Sequence, residues 1–177
     1  MKKIIAIIVA LAVCLCITGC GPSDSGAKAT VEKYYASLNN GDLQGMIDCC
    51  DSATSAAING SMDLLSLLLN SSGSSDVDVR SYIMQLYPSI GSALSQQGVT
   101  YEMKPTRIDV SFSDDTHATA NVNVHISVMS GSDTQEVDQT ETFSMVKEGD
   151  NWKIDLSDQL TNAFGSAFDI AGGLLGL

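Results

Sequence analysis

Hydrophobic positions change period twice along the chain. From Ala27 to Gly98 they recur every three or four residues, as on one face of a helix. Val31, Tyr34, Tyr35 and Leu38 form the first stripe, and Asn39-Asn40-Gly41 stops it. Leu43, Met46, Ile47 and Cys50 form the second, with Asp42 placed to cap its free backbone N–H groups. A third helix is expected over about Ser52–Leu69, with Ile58, Met62, Leu65 and Leu69 on its buried face and Gly60 as a weak point. Asn70–Ser75 reads as a loop. Asp76 or Asp78 then caps a fourth helix whose stripe is Val79, Tyr82, Ile83, Leu86, Ile90 and Leu94.

After Gly98 the period becomes two. Ala118, Ala120, Val122, Val124, Ile126 and Val128 alternate with His117, Thr119, Asn121, Asn123, His125 and Ser127, which predicts a strand with one dry and one wet face. Val137, Phe143 and Met145 mark the inward side of the next strand, and Trp152, Ile154 and Leu156 a short last one. The turns Ser113–Thr116, Ser130–Asp133 and Glu148–Asn151 join neighbours as hairpins. In the first strand the apolar parity switches from Val99, Tyr101 and Met103 to Ile108, Val110 and Phe112. A bulge at Lys104-Pro105 explains this, because Pro has no N–H for the ladder, and a bulged strand bends its sheet. Beyond Asp158 helical spacing returns with Leu160, Phe164 and Phe168, then Ala171, Leu174 and Leu175; this tail is expected to pack on the domain, or else to dock on a membrane partner. The fold class is therefore α+β, with N-terminal helices on a curved antiparallel sheet and a C-terminal helix.

The first twenty residues follow another logic. Met1-Lys2-Lys3 precedes Ile4–Ile17, an unbroken run of Ile, Leu, Val, Ala and Cys that is shorter than the ~20 residues a membrane-spanning helix needs. It ends in Ile17-Thr18-Gly19-Cys20, which resembles the lipobox of bacterial lipoproteins. The resemblance implies cleavage between Gly19 and Cys20, a diacylglyceryl group on the Cys20 sulfur, and a protein held by membrane lipid on the extracytoplasmic face of a bacterial cell membrane. It divides the chain into a signal peptide at 1–19, a lipidated cysteine and tether at 20–26, a domain at 27–157 and a helical extension at 158–177.

Composition changes meaning once that segment is separated. The whole chain has 177 residues, 9 Lys plus Arg against 21 Asp plus Glu, and 44% hydrophobic residues. Removing residues 1–19 takes two lysines and no acid, leaving 7 basic against 21 acidic residues and a charge of −14 on 158 residues. Such a surface repels phosphate and argues against nucleic acid as a partner. Of five cysteines only Cys49 and Cys50 remain unassigned, so there is no disulfide framework. Cys50 belongs to the second helix's stripe as a small buried hydrophobe, and Cys49 lies about 100° round the helix.

A second resemblance rests on Ala29–Asp48, with its aromatic pair Tyr34-Tyr35 and its Asn40-Gly41-Asp42 turn, and on Gly149–Asp155, a closing strand that starts at Trp152. These segments resemble the nuclear transport factor two-like superfamily, which includes ketosteroid isomerase and limonene epoxide hydrolase. The resemblance implies a cone, in which a curved sheet wraps the helices around a cavity. It also implies that an enzyme of this kind would need a carboxylate general base inside the cone, with acidic donors such as Tyr beside it.

Such a base would show as an acid on an apolar face. Glu141, which shares the parity of Phe143, is the one acid on that inward row; Asp109 has the outward parity. Tyr34, Tyr35, Tyr82, Tyr87 and Tyr101, with Glu141, are the candidate pocket-lining residues. His117 and His125 share a face but stand about 26 Å apart along a strand, too far to act together. No catalytic residue, metal site or cofactor site is assigned: zinc-type spacing, phosphate-cradling glycine loops and nucleophile elbows are missing from the sequence. The expectation is a non-enzymatic binding or interaction module for a small apolar ligand or an envelope protein; the alternative is a small-molecule isomerase or hydrolase using a carboxylate buried in the cone.

Overall fold

The computed structural model describes residues 24–71 and 78–160; the expected signal peptide at 1–19, Cys20, most of the expected Asn70–Ser75 loop and the extension beyond Leu160 lie outside them. Helix α1 runs Asp24–Asn39, starting three residues before the expected boundary at Ala27. The early start has a packing reason. A Cβ on Gly26 would lie 3.2 Å from Trp152 Cδ1, and Thr30 Oγ1 donates to the Trp152 carbonyl at 2.8 Å, so these residues are fitted to the end of the sheet rather than left as tether. Gly21, Pro22 and Ser23 separate Cys20 from the first described residue of the helix.

Asp42 caps α2, Leu43–Cys49, by accepting from the Gly45 N–H at 2.8 Å. Cys50 lies past the helix in extended conformation and bridges Ile154, which corrects its expected place on the helical stripe. Its expected burial holds, at 5% exposure, and Cys49 is buried as well, at 2% and within the main cluster. Asp78, rather than Asp76, is the cap of α4, Val79–Gln96, accepting from Ser81 N–H at 3.1 Å. Helix α3, Ser52–Ser71, precedes it, and Ser66 Oγ accepts from Val79 N–H where the two meet. Pro88 sits inside α4, against the α1–α2 turn. Gly41 at that turn has φ 64° and would place a Cβ 3.1 Å from Pro88 Cα, so both its conformation and its lack of a side chain are used.

Strands β1 (Val99–Phe112), β2 (His117–Ser130), β3 (Asp133–Glu148) and β4 (Asn151–Asp155) form one antiparallel sheet in sequence order. The register slips between Pro105 and Arg107, and the half-buried positions change there from odd to even numbers, as the parity switch predicted. Gly131 and Gly149, both with φ near 60°, open the two-residue loops of the last two hairpins in the manner of type II′ turns.

Ala27, Val31 and Tyr35 of α1 press on Ala120, Val122 and Val124 of β2, Phe143 and Met145 of β3, and Trp152 and Ile154 of β4. This core closes within α1, α2 and the sheet. The expected burial of the other two stripes does not hold among the described residues: Met62 and Val79 are buried, but Leu65, Leu69, Tyr82, Leu86 and Ile90 are exposed. The sheet is not used up by α1: Val128 and Val137, expected on its dry face, are 38% and 55% exposed, so that end of β2 and β3 is covered by neither α3 nor α4. No described helix is long and apolar enough to cross a membrane. A helical turn opens at residues 157–160, where the extension begins.

Candidate functional site

Two neighbours on α1 and one residue of β3 make the tightest aromatic group. The ring centroids of Tyr34 and Tyr35 are 5.6 Å apart, and Phe143 lies 5.6 Å from the first and 6.2 Å from the second, all edge to face. Successive helical residues diverge by about 100°, so one ring seated between them can touch both.

Glu141 is two residues from Phe143 on the same face of β3, opposite Val122 in register. The inward parity expected for it holds: it is half-buried, and the Tyr35 hydroxyl donates to its Oε2. Gln139, two residues further along the row, donates to Oε1 at 2.6 Å. Gln139 was missed in the sequence, although a polar side chain two positions from an inward acid was the available signal. Both carboxylate oxygens thus face protein donors, and bonds to a charged acceptor are among the stronger ones.

The electrostatics follow from this burial. Tyr35 is 1% exposed, and burial first, then its bond to Glu141, drives its hydroxyl well above the ordinary phenol range. Tyr34 is pushed up to about 12, mainly by burial and then by the neighbouring Cys50 and Glu141. A neutral phenol beside a carboxylate can donate a hydrogen bond to it, and Tyr35 does so.

The remaining candidates are elsewhere. Tyr101 donates to the Leu38 carbonyl at 3.3 Å and borders an open cleft of about 530 Å³ between the α1–α2 turn, α4 and the start of β1; Asn40, Gly41, Ser92 and Ser95 also line it. Tyr87 points its hydroxyl at Met46 Sδ, 3.5 Å away. Tyr82 is 62% exposed, so the structure does not bring it to any pocket shared with the α1 pair. The six candidates therefore separate into one cluster of Tyr34, Tyr35 and Glu141 and three scattered tyrosines.

One buried acid escaped the sequence reading. Asp51, 7% exposed, accepts from Thr54 N–H at 2.9 Å and starts α3; its own N–H donates to the Ile154 carbonyl, so its work is structural. Asp109 faces outward and pairs with Arg107 at 2.7 Å. His117 meets Asp114 at 3.0 Å and His125 meets Asp138 at 2.8 Å, each on the wet face. Burial raises the thiols of Cys49 and Cys50, the latter to about 11, so both are poor nucleophiles. Among the described residues no group of three His, Cys, Asp or Glu side chains is placed to hold a metal ion.

No family model matches the chain, and no curated protein matches it in sequence. Solved structures similar to it include the beta subunit of the benzoate 1,2-dioxygenase from Burkholderia mallei, at 10% identity and TM-score 0.46, covering 76% of this chain and 87% of that one. An NTF2-like protein of unknown function from Prochlorococcus marinus overlaps at 9% identity and TM-score 0.42, covering 75% and 88%. A domain of unknown function with a cystatin-like fold from Nostoc punctiforme does so at 13% identity and TM-score 0.40, covering 87% and 97%.

Proposed function

We propose that the chain is an exported lipoprotein, tethered to the outer face of a bacterial cell membrane through acylated Cys20, whose domain binds a small apolar ligand or an envelope protein without catalysing a reaction. The observation that carries the anchor is the apolar run Ile4–Ile17 ending in Ile17-Thr18-Gly19-Cys20. The fold adds a geometric consequence: α1 starts at Asp24, so three residues separate Cys20 from the domain. Even stretched they span about 10 Å, and the Trp152 end of the sheet rides close to the lipid surface. Two acyl chains hold where one is marginal, which suits an acidic domain that an anionic surface repels.

The non-enzymatic half of the proposal draws on Glu141. Its two oxygens already have donors in Tyr35 and Gln139, and Tyr35 is itself packed against Tyr34 and Phe143. The second reading, a small-molecule isomerase or hydrolase with Glu141 as base, has one observation in its favour, the inward carboxylate beside two phenols.

In cells fed a labelled fatty acid, the native chain should take up label and sediment with membranes, and Cys20→Ala should lose both. Equal labelling of the two would refute the anchor. For the domain, fragment binding followed by NMR separates the readings. Small apolar compounds that bind and stay unchanged support the binding module, whereas conversion of a bound compound that Glu141→Gln abolishes would favour the enzyme.

A further inference from the structure

We propose that residues 161–177 are the occupant of the apolar face that α3 leaves uncovered. Leu64, Leu65, Leu67 and Leu69 are 53%, 45%, 66% and 39% exposed, on a helix whose one charged residue is Asp63. So many large apolar side chains within two turns mark a surface built to be covered.

The chain's own end is placed to cover it. Leu156 N–H donates to Thr54 Oγ1 at 3.0 Å, and Leu160 N–H donates to the Leu156 carbonyl at 2.9 Å, so the last described residues stand beside the first turn of α3. From Thr54 to Leu69 the helix rises about 22 Å, and the seventeen residues after Leu160 span about 25 Å at the same rise and more if extended. Their composition matches the face. Phe164, Phe168, Ala171 and Leu175 fall at i, i+4, i+7 and i+11, and Asp169 is the one charge among the seventeen. A tethered segment also acts at a high local concentration that a second chain lacks. This inference does not depend on the anchor at Cys20.

Disulfide trapping in the full chain tests it. With Cys14, Cys16 and Cys20 changed to Ala, Leu67→Cys is paired in turn with Phe164→Cys, Phe168→Cys and Leu175→Cys, and with Ser113→Cys at the exposed β1–β2 turn as control; native Cys49 and Cys50 are buried. At least one tail position should form an intramolecular bond about tenfold or more faster than the control. Bonds between two chains would assign the face to a second copy. Thiols that react freely with maleimide in detergent but are shielded in vesicles would assign it to lipid. Either result overturns the proposal. Independently of cysteines, Phe164→Asp with Phe168→Asp should speed amide exchange of Leu64–Leu69 about tenfold while leaving Val122 and Ile154 unchanged; unaltered exchange at Leu64–Leu69 also overturns it.

Discussion

Helix α1 and helix α3 are both amphipathic, both moderately long and both read from the same three-to-four spacing, yet they end in opposite environments. On α1, Ala27 and Val31 are wholly buried and Tyr35 nearly so, because four strands offer them a curved apolar surface. On α3 the buried residues among those described are Met62 and Thr54, and Leu64, Leu65, Leu67 and Leu69 are open. The difference teaches that periodicity reports which face wants cover, whereas cover depends on where the rest of the chain places partner surface. Helix α1 and the short α2 cover the sheet around Ala120 to Val124, while Val128 and Val137 at its other end stay as open as the leucines of α3.

The largest effect that sharpens this contrast should come from the centre of the first region. Ile154→Ala removes a fully buried side chain between α1, α2 and the sheet and should cost about 2–5 kcal/mol in urea unfolding. A cost close to zero there would mean that the two regions are equally loose. Tyr35→Phe comes next, at about 1–3 kcal/mol, because it takes a donor from a half-buried carboxylate without opening a cavity. Asp42→Ala, which removes the α2 cap beside the core, should cost about 1 kcal/mol of global stability. The matching Asp78→Ala should instead speed amide exchange in α4 while global unfolding stays nearly the same. At the small end, Tyr82→Ser on the exposed stripe of α4 should change stability by no more than about 0.5 kcal/mol.

Alkali probes the aromatic cluster without mutation. Tyr34 folded titrates near 12, above its unfolded value, so the stability it contributes is complete below about pH 10 and is lost as pH rises through the folded value. Cys50, raised to about 11, acts in the same direction. The urea midpoint should therefore fall between pH 10 and 12, and Tyr34→Phe should flatten that fall.

Much of the framework was legible in the chain. Asp42 as a cap, the hairpin turns, the bulge at Pro105 and the inward parity of Glu141 all follow from local rules of hydrogen bonding and side-chain alternation. The failures share one cause, which is dependence on distant partners. Gly26 looked like linker because nothing near it in sequence announces Trp152, the ring it packs against. Cys50 looked helical until its strand-like bridge to Ile154 was set beside the pattern. Tyr82 and Tyr101 looked equivalent, and only tertiary placement makes one exposed and the other the wall of a cleft.

The proposed anchor would hold this domain at a membrane by a lipid on Cys20. Intact-mass analysis of the protein extracted from bacterial membranes tests it most directly. The account predicts a chain that begins at Cys20 and carries the added mass of acyl groups there; an unmodified chain still bearing Met1–Gly19, or one cut elsewhere without lipid, would contradict it.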